Sequence, residues 1–333
     1  MTSTRWPWHG RSFILAATFT GLLACGALAL DRKDLQDCES STDVPRMIQA
    51  CTTIAEENRL PAEVRSMALL KRGFGNFALD KFDAALADFR AAIELNPKNN
   101  YAHHELGLTL ARKGDFAGAL AALDEAIKLD PQSAASRYTR GNFLAGQGRM
   151  DEAIQDYNAA IELGADKNTA FTKEGQMDRP AAGRVRADYF IARADALYMT
   201  GNFRDAAADY ERAQGFPDSQ GYNLIWGALA RIGAGSPNAT GDLISAIDTG
   251  KVAGWPKAVG ELVARRTTAA ATLTAAQNND QVCEAHFYIG ALSMTGKDLI
   301  SAKKELSIAR DTCPKSFREY RGAVALLRGL DRL

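Results

Sequence analysis

Cys283 and His286 lie three residues apart, a spacing that sets a thiolate and an imidazole on one helical turn and would suit a metal ion. A metal site needs further ligands, no obvious set completes this pair, and Cys283 has a better partner in Cys313. His103 and His104 are adjacent and read as helix-surface residues rather than as a general base. Gly73-Phe74-Gly75-Asn76-Phe77-Ala78 fits the G-x-G-x-x-A dinucleotide pattern, yet no strand precedes it. Gly233 to Gly241 is rich in glycine but lacks the Gly-Lys-Ser/Thr ending of a phosphate loop. The expectation is a chain with no catalytic residues, no metal and no cofactor, whose acidic residues are solvated helix faces.

The elements that carry these residues repeat. Between Ser66 and Lys167 the chain reads as three copies of one helix–turn–helix unit with a period of about 34 residues. The register stacks Gly73, Gly107 and Gly141; Ala85, Ala119 and Ala153; Phe89, Leu123 and Tyr157; and Ala92, Ala126 and Ala160. Pro97 and Pro131 follow, with Ala165 in place of a third proline. Small residues let two helix axes cross closely, the Phe89 column fills the layer between units, and each proline stops the second helix. Asp80-Lys81-Phe82, Gly114-Asp115-Phe116 and Gly148-Arg149-Met150 join the two helices of each unit and return one apolar side chain to the core.

In these columns the chain resembles the tetratricopeptide repeat (TPR) family. The resemblance implies an all-α helix-hairpin solenoid, a right-handed superhelix whose concave face binds peptides or proteins without chemistry of its own. A length of 333 residues, beyond the roughly 250–300 at which a single core stops growing, also favours a stack or several domains. In the family the exposed face of the first helix supplies ligand contacts. Here this face maps onto Leu70, Phe74, Phe77, Tyr101, His104, Leu108, Tyr138, Asn142, Ile191, Asp195 and Tyr198. Apolar and aromatic residues dominate that set, which suits an extended or helical apolar segment rather than an acidic chain terminus. The competing reading makes several of these residues core between repeats.

The N-terminus reads as a targeting segment. Arg5 and Arg11 precede an apolar run from Phe13 to Leu23, and Ala27-Leu28-Ala29 is a small-x-small cleavage site, which makes residues 1–29 a signal peptide. Leu22-Leu23-Ala24-Cys25 resembles a lipobox, so a lipoprotein anchored at Cys25 stays as an alternative, as does an uncleaved membrane anchor. Nothing later is long and apolar enough to span a bilayer. The first thirty residues contain no acid, and without them the 40 acidic residues exceed the basic ones by two, which leaves no electrostatic footprint for nucleic acid. Cys38 with Cys51 and Cys283 with Cys313 make a local disulfide pairing that suits an exported chain; buried free thiols are the other reading.

In order, residues 31–64 form N-terminal capping helices, 66–167 three TPR units and 168–186 an inserted loop. Residues 187–218 form a fourth unit, in which Ala194, Gly201, Ala206, Tyr210 and Ala213 recover the register. Residues 219–280 are degenerate helical repeats, and 283–316 a last unit with Gly290, Ala302, Leu306, Ala309 and Pro314. Residues 317–333 are a capping helix with Phe317, Tyr320, Val324 and Leu327 on its buried side and arginines opposite. Trp255-Pro256, Cys283-Glu284-Ala285-His286-Phe287-Tyr288-Ile289-Gly290 and Cys313-Pro314 resemble the exported TPR proteins of Gram-negative bacteria related to the lipoprotein NlpI. That resemblance implies a periplasmic, non-catalytic adaptor that binds a partner protein and gathers envelope enzymes, with homo-oligomerisation left open. The alternative is an envelope hydrolase or metal-dependent enzyme using the insert or the degenerate region. Mass spectrometry of protein made in its own host is expected to show a chain beginning at Leu30; acyl chains on Cys25 would instead place it on a membrane.

Overall fold

The computed structural model describes residues 31–165, 171–172, 175–176, 179–214 and 221–331. The expected signal peptide, residues 1–29, and Cys25 lie outside them. Two helices lead, α1 (Arg32–Ser40) and α2 (Val44–Glu56). Then follow α3 (Ala62–Ala78), α4 (Phe82–Leu95), α5 (Asn100–Arg112), α6 (Phe116–Leu129), α7 (Ala134–Gly146) and α8 (Met150–Ala165). A two-stranded antiparallel hairpin, β1 (Phe171–Thr172) with β2 (Gly175–Gln176), interrupts the helices. They resume with α9 (Arg179–Met199), α10 (Phe203–Gln214), α11 (Tyr222–Gly233), α12 (Gly241–Asp248), α13 (Gly254–Val263) and α14 (Ala269–Ala275). The last are α15 (Asn279–Thr295), α16 (Leu299–Thr312) and α17 (Arg318–Leu330). The segment expected to loop as far as Arg186 is therefore helical from Arg179. Its Pro180 lies in the first turn, where no N–H is needed.

Local chemistry starts and stops these helices. Side chains of Asp31, Asp43, Asn99, Asp115, Thr268, Asn278 and Asp298 accept from backbone N–H groups one turn in, which satisfies donors that no helix can satisfy by itself. Five turns each reverse the chain through one residue in the left-handed region: Asp80, Gly114, Gly148, Gly201 and Lys297. Glycine adopts that conformation freely; Asp80 and Lys297 hold it against the clash of their Cβ atoms.

The chain forms two compact units, Met1–Phe143 with Leu163–Met177, and Leu144–Glu162 with Asp178–Leu333. In the first, α3 and α4 cross so closely that a Cβ at Gly73 would fall 2.5 Å from the Phe89 ring, and Gly107 leaves 3.0 Å to the Ala119 carbonyl oxygen. Phe89 and Ala85 are wholly buried there with Ala92 and Ala102. Cys38 is bonded to Cys51, joining α1 to α2.

A buried ion pair crosses each of two hairpins at the same register. Arg72 of α3 donates to Asp88 of α4 at 2.6 Å, and Asn76 donates to the other carboxylate oxygen at 2.8 Å. Arg72 also reaches back to Thr52 on α2. In the second unit Arg193 of α9 pairs with Asp209 of α10 at 2.6 Å and reaches back to Asn158 on α8 at 2.7 Å. Each guanidinium thus joins its own hairpin to the preceding helix.

The second unit has its core around Trp226, which stacks on Phe287 with centroids 5.0 Å apart. Cys283 is bonded to Cys313, across the open end of the α15–α16 hairpin. The final helix departs from its expected polarity. α17 buries Glu319, Gly322, Ala323, Leu326 and Leu327, and packs on α16, α15 and α9. A Cβ at Gly322 would fall 2.7 Å from the Phe287 ring, so the helix lies directly on the core aromatics. Arg72→Ala is expected to cost about 3 kcal/mol in denaturant unfolding, because it strands Asp88 in the core; Arg72→Met with Asp88→Leu should recover most of that loss.

Candidate functional site

Helices α3, α5, α7 and α9 carry the residues that the family pattern marks for ligand contact, and the two units use them differently. In the first unit Leu70 is buried in the core, so the interior reading holds for it. Phe74 meets Phe89 edge-on at 5.7 Å, and Phe77 meets Phe82 at 5.4 Å beneath the Arg112 guanidinium. Both rings are half-buried. Tyr101 on α5 is 38% exposed, the most open side chain of the set among the described residues. Leu108, Tyr138 and Asn142 are half-buried.

His104 differs from its expected place on the surface. Its Nδ1 lies 3.0 Å from Ser136 Oγ on α7, and Ser133 Oγ extends the chain at 2.9 Å. Burial pushes the imidazole down to about 4, so the ring is neutral at ordinary pH. Next to it Glu105 is buried too, and burial pushes its carboxyl up to about 8. Neither Glu105 nor Ser136 stands out in the sequence, since both occupy polar positions of amphipathic helices.

In the second unit the corresponding face is engaged by the chain itself. Ile191 is half-buried, and Tyr198 is wholly buried between Phe203 and Trp226, so it belongs to the core. Asp195 accepts from Tyr210 Oη at 2.7 Å and from the Arg318 guanidinium of α17. Arg318 also lies 4.2 Å above Trp226 and donates to Tyr210 Oη at 2.8 Å. Glu319, the next residue, accepts from Tyr288 Oη at 3.0 Å. Close by, Glu284 accepts from Tyr222 Oη at 2.9 Å and from Trp255 Nε1 at 2.8 Å. The residues weighed for metal binding are committed elsewhere: Cys283 to its disulfide, and His286 to Glu305 at 2.5 Å. Gly73 to Ala78 lies within α3, not in a phosphate-binding turn.

Glu284 gives this network a pH dependence. Burial first, and the nearby Glu319 second, push its carboxyl from 4.5 up to about 7, against the pull of Trp255 and Tyr222. A raised carboxyl binds a proton in the folded state that the unfolded chain has released, so its contribution is full below about 4.5 and is lost as pH rises through about 7. With allowance for solvent screening this is on the order of 2 kcal/mol. Glu284→Gln keeps an oxygen for both donors. The variant is therefore expected to lose less stability than the wild type between pH 5 and 8 in thermal melts, and equal slopes would exclude Glu284 as the source.

The family model described as Tetratricopeptide repeat matches residues 76–134 and 104–168. No curated protein matches the chain. Among solved structures, MamA aligns at 19% identity over 56% of this chain and 95% of its own, with a TM-score of 0.43. PilF of Pseudomonas aeruginosa aligns at 16% over 78% of this chain and 97% of its own, with a TM-score of 0.46. The C-terminal part of a TPR repeat-containing protein from Cytophaga hutchinsonii aligns at 15% over 84% and 94%, with a TM-score of 0.44. The family match over residues 76–168 falls on helix pairs that cross at Gly107 and turn through Gly114 and Gly148, and this part of the chain is built of tetratricopeptide repeats.

Proposed function

We propose that this protein is a non-catalytic scaffold of the periplasm that binds a protein or peptide partner along the α5 and α7 face of its first unit. The observation that carries this reading is the contrast between the units. Tyr101 stands 38% exposed beside half-buried His104, Leu108 and Tyr138, whereas Asp195 at the equivalent level of the second unit is held by Arg318 of the chain's own last helix. Aromatic side chains with few rotamers are efficient contact residues, because they bury much area for little lost entropy.

An exported location is supported by the two disulfides, which persist in oxidising compartments, and by the Arg-flanked apolar run before Ala27-Leu28-Ala29. No described helix is long and apolar enough to cross a membrane. Within this reading the resemblance to NlpI-related proteins makes a cell-envelope enzyme the natural partner. The engagement of Cys283 and His286 within the fold speaks against the hydrolase or metal-enzyme alternative.

Truncating a hot spot costs at least about 2 kcal/mol, roughly thirtyfold in affinity. Tyr101→Ala with Tyr138→Ala is therefore expected to abolish capture of the partner from an envelope fraction while circular dichroism stays helical. Unchanged capture by a helical double variant would move the site off this face.

A further inference from the structure

The α5 face that carries Tyr101 and Leu108 also carries Glu105, at helical spacings of four and three. Glu105 is 5% exposed, and among the described residues no donor makes a hydrogen bond to its carboxyl. The nearest polar group is His104, whose Nε2 lies 4.0 Å from Glu105 Oε1 while its Nδ1 is turned to Ser136. Other buried acids of this chain are served. Asp88 has Arg72 and Asn76, Asp209 has Arg193 and Arg212, and Glu284 has Tyr222 and Trp255. A buried carboxyl without a donor is costly, so a cation from outside the fold that reached it would relieve that cost.

Among the described residues none of the chain's own cations makes a hydrogen bond or ion pair with Glu105 besides the 4.0 Å approach of His104. Lys71, the α3 counterpart of Glu105, donates to the Glu39 carbonyl at 3.0 Å, and burial lowers its pKa. On α7, Arg137 turns one terminal nitrogen to the Pro131 carbonyl at 3.4 Å while its buried Nε makes no hydrogen bond among the described residues, and Arg140 turns to Asp124. From α4 and α6, Asp83 and Glu125 are joined to Lys113 and Lys128. We propose that Glu105 is the anchor for a basic side chain, lysine or arginine, of the partner segment bound along α5 and α7. A guanidinium or ammonium brings both the charge and the directed donors that the carboxyl lacks. This inference rests on the reading of that face as the partner site and names what the partner must present.

The pairing carries a proton signature. At neutral pH the buried Glu105 carboxyl is protonated, so forming the ion pair releases one proton, and affinity should rise about tenfold per pH unit up to about 8. His104 stays neutral across that range, and an arginine in the ligand does not titrate. Phage-displayed random peptides selected on the full mature chain provide the probe, with binding of a selected peptide followed by fluorescence anisotropy at pH 6, 7 and 8. The expected result is a lysine or arginine at one fixed position. Glu105→Gln, which keeps the shape, should weaken an arginine peptide at least about thirtyfold at pH 8 and flatten its pH dependence, with helicity unchanged by circular dichroism. Selected peptides that lack a basic residue yet are lost on Tyr101→Ala with Tyr138→Ala would overturn the anchor and leave the partner face standing. Basic peptides indifferent to Glu105→Gln would overturn it likewise. Recovery of no peptide at all would remove both the face and its anchor.

Discussion

Helix pairs in this protein depend on two backbones approaching until a side chain at the crossing would collide. The gap at Gly73 is set by the Phe89 ring, at Gly107 by the Ala119 carbonyl, and at Gly290 by the backbone of Leu306, where an added Cβ would fall 3.0 Å from its nitrogen. Such contact gives dense packing from small residues, since dispersion falls away quickly with any gap. It also leaves little room for polar groups between the paired helices. Those that do enter must be matched in place, and the pairs of Arg72 with Asp88 and Arg193 with Asp209 meet that demand.

The same constraint governs the faces that point away from the crossings. In the second unit Asp195 on α9 is met by Arg318 and Tyr288 on α15 by Glu319, although Tyr198 Oη, Trp226 Nε1 and Arg318 Nε are buried without a hydrogen-bond partner among the described residues. In the first unit the α5 face combines an open tyrosine with a buried acid that no donor serves among the described residues. One architecture thus yields a face whose acids the chain itself pairs and another that carries an acid without a donor, and the difference comes from side chains that play no part in the repeat itself.

Much of the architecture was legible in the sequence because its signals are periodic. The small-residue columns, the turn residues at Gly114 and Gly148, and caps such as Asp115 and Thr268 act within a few residues or recur at a fixed interval. Arg318 was not legible. Its partner Asp195 is 123 residues away, and on a helical wheel it looks like one more outward arginine. His104 and Glu105 were hidden for a related reason: burial comes from how neighbouring helices meet, whereas a local pattern records only polarity. The start of α9 inside the segment expected to loop was hidden by Pro180, whose place in a first turn makes it an acceptable helix start.

The Cys283–Cys313 bond has a consequence for the last helix. Cys313 is fastened to α15, and only four residues separate it from Arg318, where α17 begins. The helix is therefore a ligand on a very short leash, and Arg318 returns to Asp195 and Trp226 as an intramolecular event. For short connections the effective concentration is on the order of millimolar or higher. Any soluble peptide contesting that face would have to exceed it, which makes the second unit selective by occupancy: it refuses ordinary competitors without a repulsive contact against any of them.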